Sequence, residues 1–238
     1  MDLPTHPLAG MRVAIGETLR TAKVANVCAI GPVDPDTRDV LARFADDGGE
    51  LELLDCACGA SPFPPVTGPR AWIMPTVSNY YQAYRLLHGI RAMSTIQRRP
   101  LLVMRPQVES AIARRDYYLG APSVPSEWRH CSETCLLRGE TIERAAYKGG
   151  LRNGVLTAIE DFTQELWDEG TALAYTCLPT IGGFCALFDV DADWAAELAY
   201  RLSRFHTSAS VAAMSAQELQ DYLSVIERPR GDPGTPAQ

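Results

Sequence analysis

The chain has 238 residues, 46% of them hydrophobic and 21% charged, with a formal net charge of -7. That composition belongs to a globular protein with a sizeable core. The acidic balance excludes a general nucleic-acid binder, which presents a basic surface. No apolar run approaches a membrane span in length. Residues 1–7 lack the basic segment and apolar core of a secretory signal, so the expected location is cytoplasmic. The seven cysteines agree with this. Their number is odd, and several, such as Cys28 and Cys177, stand inside apolar runs, so they read as free, small core residues.

In chain order, residues 24–30 form a short apolar run that reads as a buried strand. Asp34 and Pro35 then suit the cap and first position of a helix. Its inner face carries Val40, Leu41 and Phe44, and Gly48-Gly49 end it. Residues 51–54 suit a strand, residues 59–70 a proline-rich loop, and residues 71–74 another strand. Residues 79–93 suit a helix with Tyr80, Tyr84 and Leu87 on one stripe. A strand is expected at 101–104, irregular chain at 105–130, a short strand at 135–137 and a short helix at 140–146. The glycine-rich stretch 148–154 reads as a loop.

Next comes an amphipathic helix ending at Gly170, with Ile159, Phe162 and Leu166 on its apolar face and the acid pair Glu160-Asp161 near its start. Strands are expected at 171–178 and 184–188, and helices at 193–205 and 215–226. Residues 1–226 thus read as one domain, followed by a proline- and glycine-rich tail at 227–238. Alternating strands and helices imply an α/β fold with a mostly parallel sheet, helices on both faces and additional C-terminal helices.

Several constellations carry chemistry. Glu160 and Asp161 can supply a positioned general base, or simply complement a helix dipole. Asp189-x-Asp191 can hold Mg2+ or Mn2+, or Asp191 or Asp193 can cap the helix near Trp194. Cys56-x-Cys58 and His130-Cys131-x-x-x-Cys135 match no common closed zinc site. Arg91, Arg98, Arg99, Arg105, Arg114 and Arg115 cluster in sequence, either as a local basic patch or as scattered surface charges. Dinucleotide loops, P-loops and the hydrolase Gly-x-Ser-x-Gly elbow are absent.

Taken in order, these pieces resemble the A-type glycosyltransferase fold, most closely the family 2 glycosyltransferases. Residues 28–44, with Asp34 and Asp36, are similar to the family's nucleotide-binding strand, acidic turn and helix. Residues 78–90 and then 100–108 stand where the family has an Asn-bearing helix followed by its Asp-x-Asp strand. Glu160-Asp161 with Gly170 resembles the acceptor-side acid pair and its helix. Arg105-Pro-Gln107 replaces the metal-binding Asp-x-Asp, and the family's first strand is not visible.

The resemblance implies a nucleotide-sugar donor and an acceptor hydroxyl. Asp34 and Asp36 would contact the nucleoside, and Arg105 would neutralise the diphosphate. Asp161, oriented by Glu160, would act as base, with Mg2+ or Mn2+ as a cofactor only if Asp189 and Asp191 supply one. The alternative is a non-catalytic α/β binding or assembly module of the same architecture. Self-association into a homo-oligomer is compatible with either. Elemental analysis of the purified chain is expected to find no structural zinc, and one tightly held zinc per chain would overturn the assignment of free thiols.

Overall fold

A computed structural model describes residues 9–31, 33–54, 70–74, 77–106, 114–118, 124–137, 140–179 and 183–226. The proline-rich loop up to residue 69, Cys56, Cys58, Gln107 and the tail 227–238 lie outside the described residues. Helix α1 (Ala9–Thr21) leads into β1 (Asn26–Ile30), α2 (Pro35–Asp46) and β2 (Glu50–Leu54). After β3 (Arg70–Ile73) come α3 (Tyr80–Ile96) and β4 (Leu102–Pro106). The middle of the chain holds β5 (Tyr117–Tyr118), a single 3-10 turn (Ser126–Trp128), β6 (Ser132–Leu137) and β7 (Glu140–Ala145). The last third runs α4 (Val155–Asp168), β8 (Leu173–Leu178), β9 (Phe184–Asp189), α5 (Ala195–Ser203) and α6 (Ala209–Ile226).

Local chemistry sets the helix starts. Asp34 Oδ1 accepts the Thr37 amide at 2.9 Å, and Pro35 occupies the first turn of α2. Asn79 Oδ1 accepts the Gln82 amide at 3.0 Å and caps α3 in the same way. The C-terminal end of α2 passes through Asp47 into Gly48, whose φ of 92° lies in the left-handed region that favours glycine.

The main sheet has the strand order β2-β1-β3-β4-β9-β8. β1 runs parallel to β2 and to β3, and β3 parallel to β4. β9 runs antiparallel to both β4 and β8. The expected α/β fold is present, with a mixed, mostly parallel sheet.

The chain steps from β1 to β2 in one direction and from β3 to β4 in the other. Right-handed crossovers then put α2 and α3 on opposite faces. The two cores follow this division. Leu41 of α2 packs with Met11 and Ile15 of α1 and Leu198 of α5. On the other face, Ala83 and Leu87 of α3 pack with Ile159 and Phe162 of α4. The reversal falls between β1 and β3, and beyond their carboxyl ends is where such sheets take ligands.

The segment expected as a helix at 140–146 is instead β7, the centre of a second sheet ordered β5-β7-β6. β6 pairs with it from Ser132 opposite Ala145 to Leu137 opposite Glu140, and β5 pairs on its other side. β6 pairs along the whole segment and β5 adds a second neighbour at Glu143 and Arg144, whereas so short a helix is marginal on its own. Arg144 also sits opposite Glu133 and bonds it at 2.8 Å, a cross-strand ion pair that a helix would lose.

The last helix begins at Ala209 rather than Ser215. No helix among the described residues is long and apolar enough to cross a membrane.

Phe162 is fully buried between the two helices, with the His88 ring edge-on at 5.1 Å. Phe162→Ala is expected to destabilise the chain by about 3–5 kcal/mol, read from the urea midpoint. A loss below about 1 kcal/mol would mean that α3 and α4 do not pack as described.

Candidate functional site

The α3/α4 face is organised by a carboxylate that no local pattern announces. Asp116 is completely buried just before β5. Its Oδ1 accepts the Tyr80 amide at 2.6 Å and the Gly154 amide at 2.8 Å. Tyr80 is the first residue of α3, and Gly154 immediately precedes α4 with φ 94°. Helix starts expose amides with no partner inside the helix, and an anion is their natural acceptor.

Asn153, also fully buried, completes the junction. Its Oδ1 accepts the Asp116 amide at 2.8 Å, and its Nδ2 donates to the carbonyls of Tyr147 and Gly149 at 3.0 and 2.8 Å. Asp116 Oδ2 has no hydrogen-bond partner among the described residues and lies 4.0 Å from His130 Nε2. His130 Nε2 in turn contacts the Arg152 carbonyl at 2.7 Å, and His130 Nδ1 the Tyr147 hydroxyl at 3.0 Å.

The acid pair does not open its helix. α4 starts at Val155, so Glu160 and Asp161 fall in its second turn, beyond the reach of the helix-dipole role. They also take different partners. Arg114 grips Glu160 with two bonds, at 2.5 and 2.6 Å, and the Tyr175 hydroxyl adds a third at 3.1 Å. Asp161 instead accepts the Tyr80 hydroxyl at 2.9 Å through Oδ2. Adjacent residues on a helix point about 100° apart, so the pair is split between two surroundings. Glu160 therefore does not bond Asp161 to orient it, as the resemblance implied.

One turn along, Tyr84 donates to Glu165, and His88 Nε2 lies 3.4 Å from the same carboxylate. Burial, then the bond to Asp161, raises the Tyr80 phenol. Burial and Glu165 push Tyr84 up to about 12. Both remain proton donors at neutral pH.

Trp128 closes over these tyrosines. Its ring stacks on Tyr80 with centroids 6.0 Å apart and lies 5.3 Å from Tyr81. The Arg152 guanidinium sits 4.7 Å from the centre of the Trp128 ring. Asp161 and Arg152 are exposed, while Tyr81 and Trp128 are half-buried. An aromatic cluster is thus rimmed by charged groups of both signs, with Arg85 also 5.5 Å from the centre of the Tyr81 ring.

The residues expected on the nucleotide side are engaged within the protein. Asp34 caps α2 and also accepts the Thr37 hydroxyl at 2.5 Å. Asp36 is buried and paired with Arg12. Arg105 is only 3% exposed, and its Nη2 donates to the Val77 carbonyl at 2.7 Å. Burial lowers the Arg105 guanidinium to about 10.

Asp189 and Asp191 lie at the opposite edge of the sheet. β9 is antiparallel, so Phe188 stands beside Leu102 at the start of β4, and Phe184 beside Pro106 at its end. Asp189 Oδ1 accepts the Asp191 amide at 3.0 Å, and the residue that precedes α5 is Trp194, with no side-chain cap from either Asp191 or Asp193. Mg2+ and Mn2+ ask for several oxygen ligands at once. Among the described residues no three His, Cys, Asp or Glu side chains are grouped to hold a metal.

The arginines that cluster in sequence disperse in space. Arg91 bonds the Thr171 hydroxyl, Arg115 lies 3.5 Å from Glu133, and Arg114 holds Glu160.

No protein-family model matches this chain, and no curated protein matches it. Function is therefore argued from the site itself. Asp116, Trp128, Asn153 and Tyr175 were given no site role by sequence reasoning, and Arg114 was named only as one of the arginines that cluster in sequence. The one available signal was the Asn153-Gly154 dipeptide, a turn marker.

Burial raises the Asp116 carboxyl above its ordinary value, against the lowering effect of the two amides and of His130. An unfolded aspartate titrates near 3.9. Between that value and the raised one, the native chain binds more protons than the unfolded chain. Stability therefore falls as pH rises through this window. Asp116→Asn keeps an acceptor oxygen but cannot titrate. Its urea midpoint is expected to decline less than that of the wild type as pH rises from about 3.9 towards neutrality. Equal declines would assign the slope to other groups.

Proposed function

We propose that the chain is an α/β binding module. It holds a hydroxyl-bearing ring, such as a saccharide, on the surface of Tyr80, Tyr81, Trp128, Arg152 and Asp161. The observation that carries this is the Trp128 ring stacked on Tyr80 beside an exposed carboxylate, which already accepts the Tyr80 hydroxyl at 2.9 Å. Aromatic rings cover the apolar face of such a ligand, and a few convergent polar groups fix its hydroxyls. Binding without transfer is favoured because Asp34, Asp36 and Arg105 are all engaged by other groups of the protein.

One observation favours a second reading, sugar transfer from a nucleotide-diphosphate donor. Asp161 is exposed, and its Oδ1 takes no hydrogen bond among the described residues. A carboxylate so placed can deprotonate an acceptor hydroxyl lying on the aromatic surface. Glycosyltransferase chemistry then needs its donor diphosphate neutralised by groups other than Arg105, and Arg152 and Arg85 are exposed cations beside the aromatic surface.

A thermal-shift panel of saccharides, nucleotides and nucleotide sugars tests both readings. A saccharide bound at a hundred times its Kd stabilises the fold by about 2.7 kcal/mol. Trp128→Ala is expected to abolish that shift, and full retention would sink the site. Asp161→Asn is expected to weaken saccharide binding by about tenfold, which is about 1.4 kcal/mol. Stabilisation by nucleotides, with transfer that falls about a hundredfold or more in Asp161→Asn, would replace the binding reading with the transferase one.

A further inference from the structure

We propose that Cys177 and Cys185 form a dithiol that closes to a cross-strand disulfide, giving the protein a redox site on the α3/α4 face of its sheet. This site does not depend on the ligand-binding reading. Cys177 of β8 stands directly opposite Cys185 of β9. The Cys177 amide donates to His206 Nδ1 at 3.0 Å, and its carbonyl accepts the Thr207 amide at 2.9 Å. Both backbone groups thus turn away from β9. The two cysteines therefore form a non-hydrogen-bonded pair, the kind with Cα atoms about 4.5 Å apart and side chains close together on one face. Disulfides span Cα separations of about 4.4–6.8 Å.

The neighbouring Cys177 thiol, together with burial, raises the Cys185 thiol. Both are free thiols. The other described cysteine in this core, Cys28, stands opposite Glu52 and Trp72 instead.

Access is one-sided. Cys177 is half-buried, whereas Cys185 is 1% exposed. An oxidant must therefore be met first by Cys177. With a small disulfide as oxidant, the Cys177 thiolate attacks one of its sulfurs and releases one small thiol. Cys185 then loses its proton and attacks the Cys177 sulfur of that mixed disulfide. The second small thiol leaves, so two protein thiols are oxidised and one small disulfide is reduced to two thiols.

Arg105 assists the second step. It stands opposite Cys185 in the register of β4 and β9, and its Nε has no partner among the described residues. A cation beside a cysteine favours the thiolate, which is the attacking form. The row Arg105–Cys185–Cys177 therefore places a cation, a resolving thiol and an accessible thiol on three adjacent strands.

Native protein is incubated with oxidised glutathione, blocked with iodoacetamide and digested with trypsin. The tryptic peptide 153–201 contains these two cysteines and no other. The expected product is that peptide without alkyl groups, lighter by two hydrogens than the dithiol. In Cys185→Ser the same peptide is expected to carry one glutathione on Cys177. In Cys177→Ser, Cys185 is expected to stay reduced in the native protein and to react after urea unfolding. A wild-type peptide recovered doubly alkylated, or holding glutathione without the crosslink, overturns the proposal. So does a crosslink that forms only in urea.

Discussion

Two helix starts meet at one oxygen. Oδ1 of Asp116 accepts the amide of Tyr80 and the amide of Gly154, and those amides begin α3 and α4. A buried amide left without a partner costs about 1–3 kcal/mol, and a bond to a charged acceptor is stronger than one between neutral groups. The carboxylate therefore fixes where each helix begins and how far apart the starts can be. Asn153 fixes the carboxylate in turn, since its side chain holds the Asp116 amide and two carbonyls of the preceding loop. In many α/β proteins a helix start at the sheet's carboxyl edge binds a ligand's phosphate. Here the protein supplies the anion itself, which is a physical reason to look for the ligand on the aromatic rim.

From that junction the two helices run side by side with matched chemistry. Tyr80 and Tyr84 are four residues apart on α3, Asp161 and Glu165 four apart on α4, and each phenol donates to one carboxylate. One apolar layer lies beneath this ladder, with Phe162 and Leu87 fully buried. The ladder explains why the acid pair separates. Asp161 faces α3 and the aromatic rim, while Glu160 faces Arg114 and Tyr175. Tyr175 is pushed up to about 12 by burial and by Glu160, so this side holds its proton as well.

Much of the architecture was legible because it rests on local chemistry. Apolar runs bounded by Pro and Gly marked the main strands, and Asp34-Pro35 marked the start of α2. Three features were not legible, for different reasons. β7 owes its form to two neighbouring strands and an ion pair with Glu133, none of which is encoded within 140–146. The start of α4 depends on Asp116, which lies 38 residues earlier in the chain. Asp116 itself stands in irregular chain with no periodicity to single it out. The site residues that were visible, Glu160 and Asp161, carry the right residue type, but their partners come from α3, β8 and the segment before β5.

Strand direction was the remaining ambiguity, and it decides which groups share an edge. An apolar run such as 184–188 reads the same whether its strand runs with β4 or against it. Running against β4, β9 brings its N-terminal end to the carboxyl edge of the parallel strands, so Cys185 meets Arg105 and Cys177 there. Its acidic C-terminal end goes to the other edge, so Asp189 and Asp191 cannot join Arg105 and Asp161 in a single site. A parallel β9 would have delivered those two aspartates to the carboxyl edge and removed the cysteine pair from it. One reversal of direction thus replaces an acidic, metal-seeking edge with a buried cation and two thiols.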